Sequence, residues 1–146
     1  MKKIICTICL LLSVAILLSV SVSAEESSPY SSIFFGSYDS FIDVINNYRM
    51  EIWFDVVTNG TMDEVGVSSV VVERSSDGST WTEMKEFLPE NYSQMVCENT
   101  YFNYDYVPYY GIPGYYYRAY VTFYAKDSRG RGYAHQYSEV VRLPPL

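Results

Sequence analysis

From Tyr48 to Val57 apolar and polar positions alternate. Met50, Ile52, Phe54 and Val56 fall on one parity, and Arg49, Glu51, Trp53 and Asp55 on the other. That period of two predicts a strand buried on one face of an antiparallel sheet. The same rhythm recurs along the chain. An extended segment runs from about Ser31 to Ile45 and ends at Asn46-Asn47, where two residues tolerant of positive φ predict a hairpin. Asn59-Gly60-Thr61 is expected to break the Tyr48–Val57 strand. Val67–Ser75 follows, with Val70 and Val72 opposite Val71 and Glu73. Ser76-Asp77-Gly78-Ser79 is a turn by composition, and Trp81–Phe87 returns from it, placing Trp81 over the Val strand as an expected core residue.

Leu88–Thr100 predicts a crossing loop with one buried patch at Met95-Val96-Cys97, and Tyr101–Val107 a short strand closed by Pro108 and Gly111-Ile112-Pro113-Gly114. Tyr115–Lys126 is the longest strand, with Tyr115, Tyr117, Ala119, Val121, Phe123 and Ala125 on one parity. Asp127-Ser128-Arg129-Gly130 turns the chain, and Tyr133–Leu143 completes it. No segment supplies the helical crossovers of a parallel sheet. The expectation is all-β: an antiparallel β-sandwich of about seven strands.

The N-terminus departs from this rhythm. Lys2 and Lys3 precede an apolar run from Ile4 to Val20, and small residues at Val22 and Ala24 lead into Glu25-Glu26. A charged start, an apolar middle and a small-residue exit predict a signal peptide over 1–24, cleaved after Ala24. The competing reading is an uncleaved anchor, since the run is near the lower limit for spanning a bilayer. Residues 25–30 then form a flexible leader and 31–146 a single sandwich domain, secreted and without stable membrane insertion after cleavage. Loss of Lys2 and Lys3 makes the formal charge of −7 about two units more negative. So acidic a domain is a poor partner for nucleic acid, whose phosphates need cations to release their counterions. Cys6 and Cys9 leave with the signal, so Cys97 has no partner in its own chain. It is either a small buried hydrophobe or a bridge between chains.

Little in the chain carries chemistry. His135 is the sole histidine, with no second His, cysteine or acidic pair near it in sequence, and reads as a surface polar residue. No zinc spacing, phosphate-cradling glycine loop, nucleophile elbow or calcium loop occurs, so no catalytic residue, metal or cofactor is expected. Asn59-Gly60-Thr61 and Asn91-Tyr92-Ser93 fit the glycosylation sequon, which matters only in a source that glycosylates secreted asparagine. Tyrosine is the anomaly: all 16 follow the signal, and ten fall among the 24 residues from Tyr101 to Tyr124. Tyr116, Tyr120 and Tyr124 take the parity opposite the apolar one, a stripe that would stack on sugars or peptide side chains at low entropic cost. They are the candidate ligand-binding residues. The alternative is a sheet face that a loop or cross-strand neighbours cover.

Tyr115-Tyr116-Tyr117-Arg118-Ala119-Tyr120-Val121 resembles the sixth strand of fibronectin type III domains. Tyr137-Ser138-Glu139-Val140-Val141 resembles their last strand, and Arg74-Ser75-Ser76-Asp77-Gly78-Ser79-Thr80-Trp81 their central hairpin. The resemblance covers roughly 48–144 and implies a fibronectin type III-like or immunoglobulin-like sandwich. It lacks a Pro-rich first strand, and Phe54 stands where the family's core Trp is expected. Met62-Asp63-Glu64-Val65-Gly66, the Ser-Asp-Gly-Ser-x-Trp turn and Gly114-Tyr115-Tyr116-Tyr117 resemble small exported proteins of clostridia-like, Gram-positive bacteria that carry the label of unknown function. That likeness implies no mechanism.

The sequence leads to a secreted, non-catalytic binding or adhesion module that contacts a cell-surface glycan or protein. The runner-up is a secreted peptide effector or toxin-like protein, and a matrix-forming role is a third reading. Intact-mass measurement of protein from culture medium should give a mature N-terminus at Glu25. Recovery only in membranes with 1–24 attached would refute cleavage.

Overall fold

The computed structural model describes residues 31–146; the expected signal peptide and leader lie outside the described residues. One helical turn, Ser31–Phe34, stands where an extended segment was expected. It is followed by β1 (Phe35–Val44), β2 (Arg49–Ser75), β3 (Thr82–Phe87), a 3₁₀ turn at Ser93–Met95, β4 (Val96–Tyr110), β5 (Tyr116–Asp127), β6 (Gly130–Tyr137) and β7 (Val141–Arg142). These form one sheet of seven strands, and every ladder in it is antiparallel.

The sheet is organised by β2, a single strand of 27 residues. Up to Val57 it lies between β1 and β4; from Glu64 onward it pairs with β5, and β3 joins its far end. Asn59-Gly60-Thr61 does not end the strand as the sequence suggested. The β4 register slips there, between Val57 and Met62, so the same residues mark a bend where β2 changes partners. Side chains hold this bend: Thr58 Oγ1 donates to the carbonyls of Gly60 and Tyr101, and Asn59 Nδ2 to those of Ile33 and Phe35.

A second slip, between Val67 and Ser69, resets the parity. Val65 and Val67 on one side of it, and Val70 and Val72 on the other, therefore all face inward. Met50, Ile52, Phe54 and Val56 from the first arm join these valines in one core with Tyr117, Ala119, Val121 and Phe123 of β5. The predicted alternation holds for Met50–Val56, for Val70 with Val72 and for Tyr117–Phe123, and breaks only at the slip, which turns Val67 inward; all of these side chains are fully buried.

Hairpins form where the sequence placed them, though one works differently. Neither Asn46 nor Asn47 takes a positive φ. Instead Asn46 Oδ1 accepts from the backbone N–H groups of Tyr48 and Arg49, each at 2.9 Å. β4 is longer than expected and runs through Pro108, which it tolerates because β4 pairs with β2 alone and keeps a free edge. Of the loop patch at 95–97, Met95 is buried while Val96 and Cys97 are half-buried and already within β4.

Trp81 is not the core residue the hairpin pattern suggested. It is half-buried on the outer face, its ring capped by the Arg118 guanidinium at 4.4 Å. Arg118 also lies over Tyr137 and pairs with Glu73 at 2.6 Å, so a cation replaces the hydrophobic neighbours that a core tryptophan would have.

The turn before β3 is tied by Asp77, whose Oδ1 accepts from the N–H groups of Ser79 and Thr80. Those bonds, that of Thr80 foremost, hold its carboxyl well below its ordinary value of 3.8. The folded state therefore binds the proton more weakly than the unfolded chain. The stability this group contributes is complete above the unfolded value and shrinks as acid is added. Asp77→Ala should lower Tm at neutral pH, and the gap from wild type should narrow as pH falls through 3.8 in a thermal-melt series. A gap that is the same at neutral pH and near pH 2 would contradict the assignment.

Candidate functional site

β5 turns Tyr116, Tyr120 and Tyr124 to the outer face together, as parity required. None of the three is openly exposed. Tyr124 is only 8% accessible; Tyr116 and Tyr120 are half-buried. Cross-strand neighbours cover them. Tyr120 stacks on His135 at 5.6 Å and meets Tyr137 at 4.8 Å, Tyr124 meets Tyr133 at 5.5 Å, and Arg142 lies over Tyr116 at 5.1 Å. Of the two readings of the stripe, wet or covered, the structure shows a packed aromatic layer, and the residues that cover it come from β6 and β7. His135 is exposed at the rim of this layer, with Nδ1 3.2 Å from Thr122 Oγ1.

Tyr124 has a further constraint. Its hydroxyl donates to Glu64 at 2.8 Å, and Lys126 holds the other oxygen of the same carboxylate. Burial first, and then this hydrogen bond, pushes the phenol up to about 12. The bonds from Lys126 and Tyr124 lower the Glu64 carboxyl in turn. The ring forms one wall of an open cleft of about 660 Å³, shared with Glu64, Ser68, Glu98, Arg131 and Tyr133.

A second aromatic surface lies on the outer face of the first arm. Phe41, Trp53 and Tyr106 stand directly opposite one another across β1, β2 and β4. Phe41 and Trp53 are stacked within 6° of parallel at 6.1 Å, and Tyr106 and Tyr104 approach the same indole at 4.7 and 5.1 Å. Phe41 is 40% and Tyr104 53% accessible, while Trp53 and Tyr106 are half-buried, so the platform is open at two of its four rings. One row away on either side stand carboxylates: Asp39 opposite Asp55, and Asp43 opposite Glu51. Arg49 occupies Glu51 at 2.7 Å, and Asp39 accepts from Ser40 N and Gln136 Nε2. Asp43 and Asp55 have no side-chain hydrogen bond or ion pair with any described residue.

Sequence reasoning marked Trp53 as outward and missed its partners. The signal was present in each strand separately, since Phe41, Trp53 and the pair Tyr104 and Tyr106 all sit on the outward parity. What parity lacks is register, and register puts Phe41, Trp53 and Tyr106 in one row, with Tyr104 in the next row opposite Asp55.

Among the described residues, no three His, Cys, Asp or Glu side chains gather in a way that would hold a metal ion, and Cys97 is a half-buried free thiol. No protein-family profile matches this chain, and no curated protein matches it by sequence.

Because Trp81 rests on a cation and not on the core, Trp81→Ala should cost about 1–2 kcal/mol in chemical denaturation, well short of a core tryptophan's 3–5 kcal/mol. A loss in the latter range would show that the ring carries core packing.

Proposed function

We propose that this protein is a secreted, non-catalytic binding module whose contact surface is the platform of Phe41, Trp53, Tyr104 and Tyr106, and that its ligand is a cell-surface glycan. The observation that carries this reading is the composition of the face: a row of Phe41, Trp53 and Tyr106 with Tyr104 beside it, and carboxylates in the flanking rows. The centre of a protein–protein interface is depleted of charged residues, and Asp43 and Asp55 sit unpaired next to the indole. A sugar suits both features. Its apolar ring face stacks on Trp and Tyr, and its hydroxyls donate to carboxylate oxygens that protein side chains leave free. The acids also set a limit on charge: the glycan is neutral or amino-bearing, since an anionic polymer would meet Asp39, Asp43 and Asp55 together.

The same proposal takes the sheet as a β-sandwich of the fibronectin type III or immunoglobulin kind, exported through a signal peptide at 1–24. The single core shared by both arms of β2 supports the sandwich. A fold of this architecture presents its outer sheet faces to water, which is where the platform lies.

Retention on a panel of neutral, amino-bearing and acidic polysaccharides tests the reading. Wild type should be retained on one or more of the first two and not on the acidic set. Trp53→Ala should lower that retention roughly tenfold or more, the loss of one stacking partner, with an unchanged circular dichroism spectrum. Tyr120→Ser, in the covered layer, should leave retention unaltered. Concentration-dependent dimerisation abolished by Trp53→Ala would instead make the platform a self-association surface, and full retention by Trp53→Ala would remove it as the site.

A further inference from the structure

The open cleft on the second arm carries a charge pattern that the platform does not use. Glu98, Glu64, Lys126 and Arg131 stand in one row across β4, β2, β5 and β6, two acids followed by two bases. The middle pair is satisfied internally, with Lys126 on Glu64 at 2.5 Å. The outer two are not. Glu98 and Arg131 are both exposed, and neither takes part in an ion pair or side-chain hydrogen bond with another described residue. The adjacent row on the same face is Val96, Gly66, Tyr124 and Tyr133. Gly66 is fixed by crowding: a Cβ there would overlap the Met95 carbonyl oxygen. The result is a trough about 660 Å³ in volume, with aromatic rings along one side and charges of opposite sign at its ends, Arg131 acting on Glu64 and Tyr124 through space without an ion pair to a described residue.

We infer that this cleft binds a short extended peptide with both ends free, its ammonium at Glu98 and its carboxylate at Arg131. Span selects the ligand. Three strand spacings separate the two charges, roughly 14 Å at the backbone. A free amino acid, with its charges on one carbon, cannot meet both, whereas an extended chain of about four residues covers that distance at ~3.4 Å per residue. The Arg131 guanidinium suits a carboxylate terminus because its fork presents two parallel donors. The Tyr124 and Tyr133 rings give the peptide an apolar side wall. The Tyr124 hydroxyl is itself held by Glu64, so the ring is fixed before any ligand arrives. This site is separate from the platform and does not depend on a glycan binding there.

Isothermal titration of the folded protein with alanine peptides of one to six residues tests it. Affinity should rise to a maximum near four residues. Acetylating the amine or amidating the carboxylate of tetraalanine should each weaken binding roughly tenfold or more, the value of one charge-assisted contact. The decisive comparison crosses ligand and variant. Arg131→Gln should bind the amidated and free-acid peptides equally, while keeping the preference for a free amine. Glu98→Gln should show the reverse. Both positions are exposed, so neither change endangers the fold. Trp53→Ala should bind the peptides as wild type does. Absence of binding in the millimolar range would overturn the inference. So would indifference to both caps, or a terminus preference that survives in the matching variant.

Discussion

The Asn103 amide faces three carbonyls, those of Val65, Gln94 and Met95, at the point where β2 exchanges one set of neighbours for another. A strand that bends leaves backbone acceptors without ladder partners, and buried acceptors left unpaired would cost more than the bend could repay. One buried amide, its two N–H donors shared among the three, ties the Val65 carbonyl of β2 to those of Gln94 and Met95 in the turn before β4. It can do so only because Gly66 lets the chain at Met95 come into contact with β2. From this junction follow the two arms, their common core and the two outer faces on which the functional proposals rest.

The two faces treat their aromatic residues differently for a geometric reason. On the second arm β5 has strands on both sides, so each outward tyrosine has a ring or a cation on the next strand to lean against. On the first arm the sheet is three strands wide. Phe41 and Tyr106 are at its margins, and Trp53 between them has only those two rings and Tyr104 as neighbours. On the wide arm the β5 tyrosines are covered while Tyr133 and Tyr137 of β6 stay exposed; on the narrow arm Phe41 and Tyr104 are exposed and flank the half-buried Trp53. Tyrosine count along the sequence does not track that difference, since the densest tyrosine stretch supplies both the covered layer and part of the open one.

What the sequence disclosed were properties of single strands. The inward sets at Met50–Val56 and at Tyr117–Ala125, the turn at Asp77-Gly78 and the all-antiparallel class all follow from local alternation and turn chemistry. What it concealed were relations between strands. Parity puts Tyr116, Tyr120 and Tyr124 on the outward side without saying that β6 and β7 lie beside them. It likewise makes Trp81 face Arg118 or the core with equal ease. Asn59-Gly60-Thr61 has the composition of a chain break, yet pairing on both sides carries the strand through it, as tertiary context does when partners are at hand.

The free margin of β4 has a consequence for life at high concentration. A sheet that shows aromatic rings to water invites copies to add strand to strand, and an unpaired strand is the usual point of entry. Here that entry is obstructed. Pro108 offers no N–H, and the Gln94 side chain already occupies the Tyr106 carbonyl. β1 and β6 also pair on one side only, and β3, a further margin, is six residues long and carries Glu83, Lys85 and Glu86. At the β4 and β3 margins, then, the addition of a further strand is hindered beside the aromatic face.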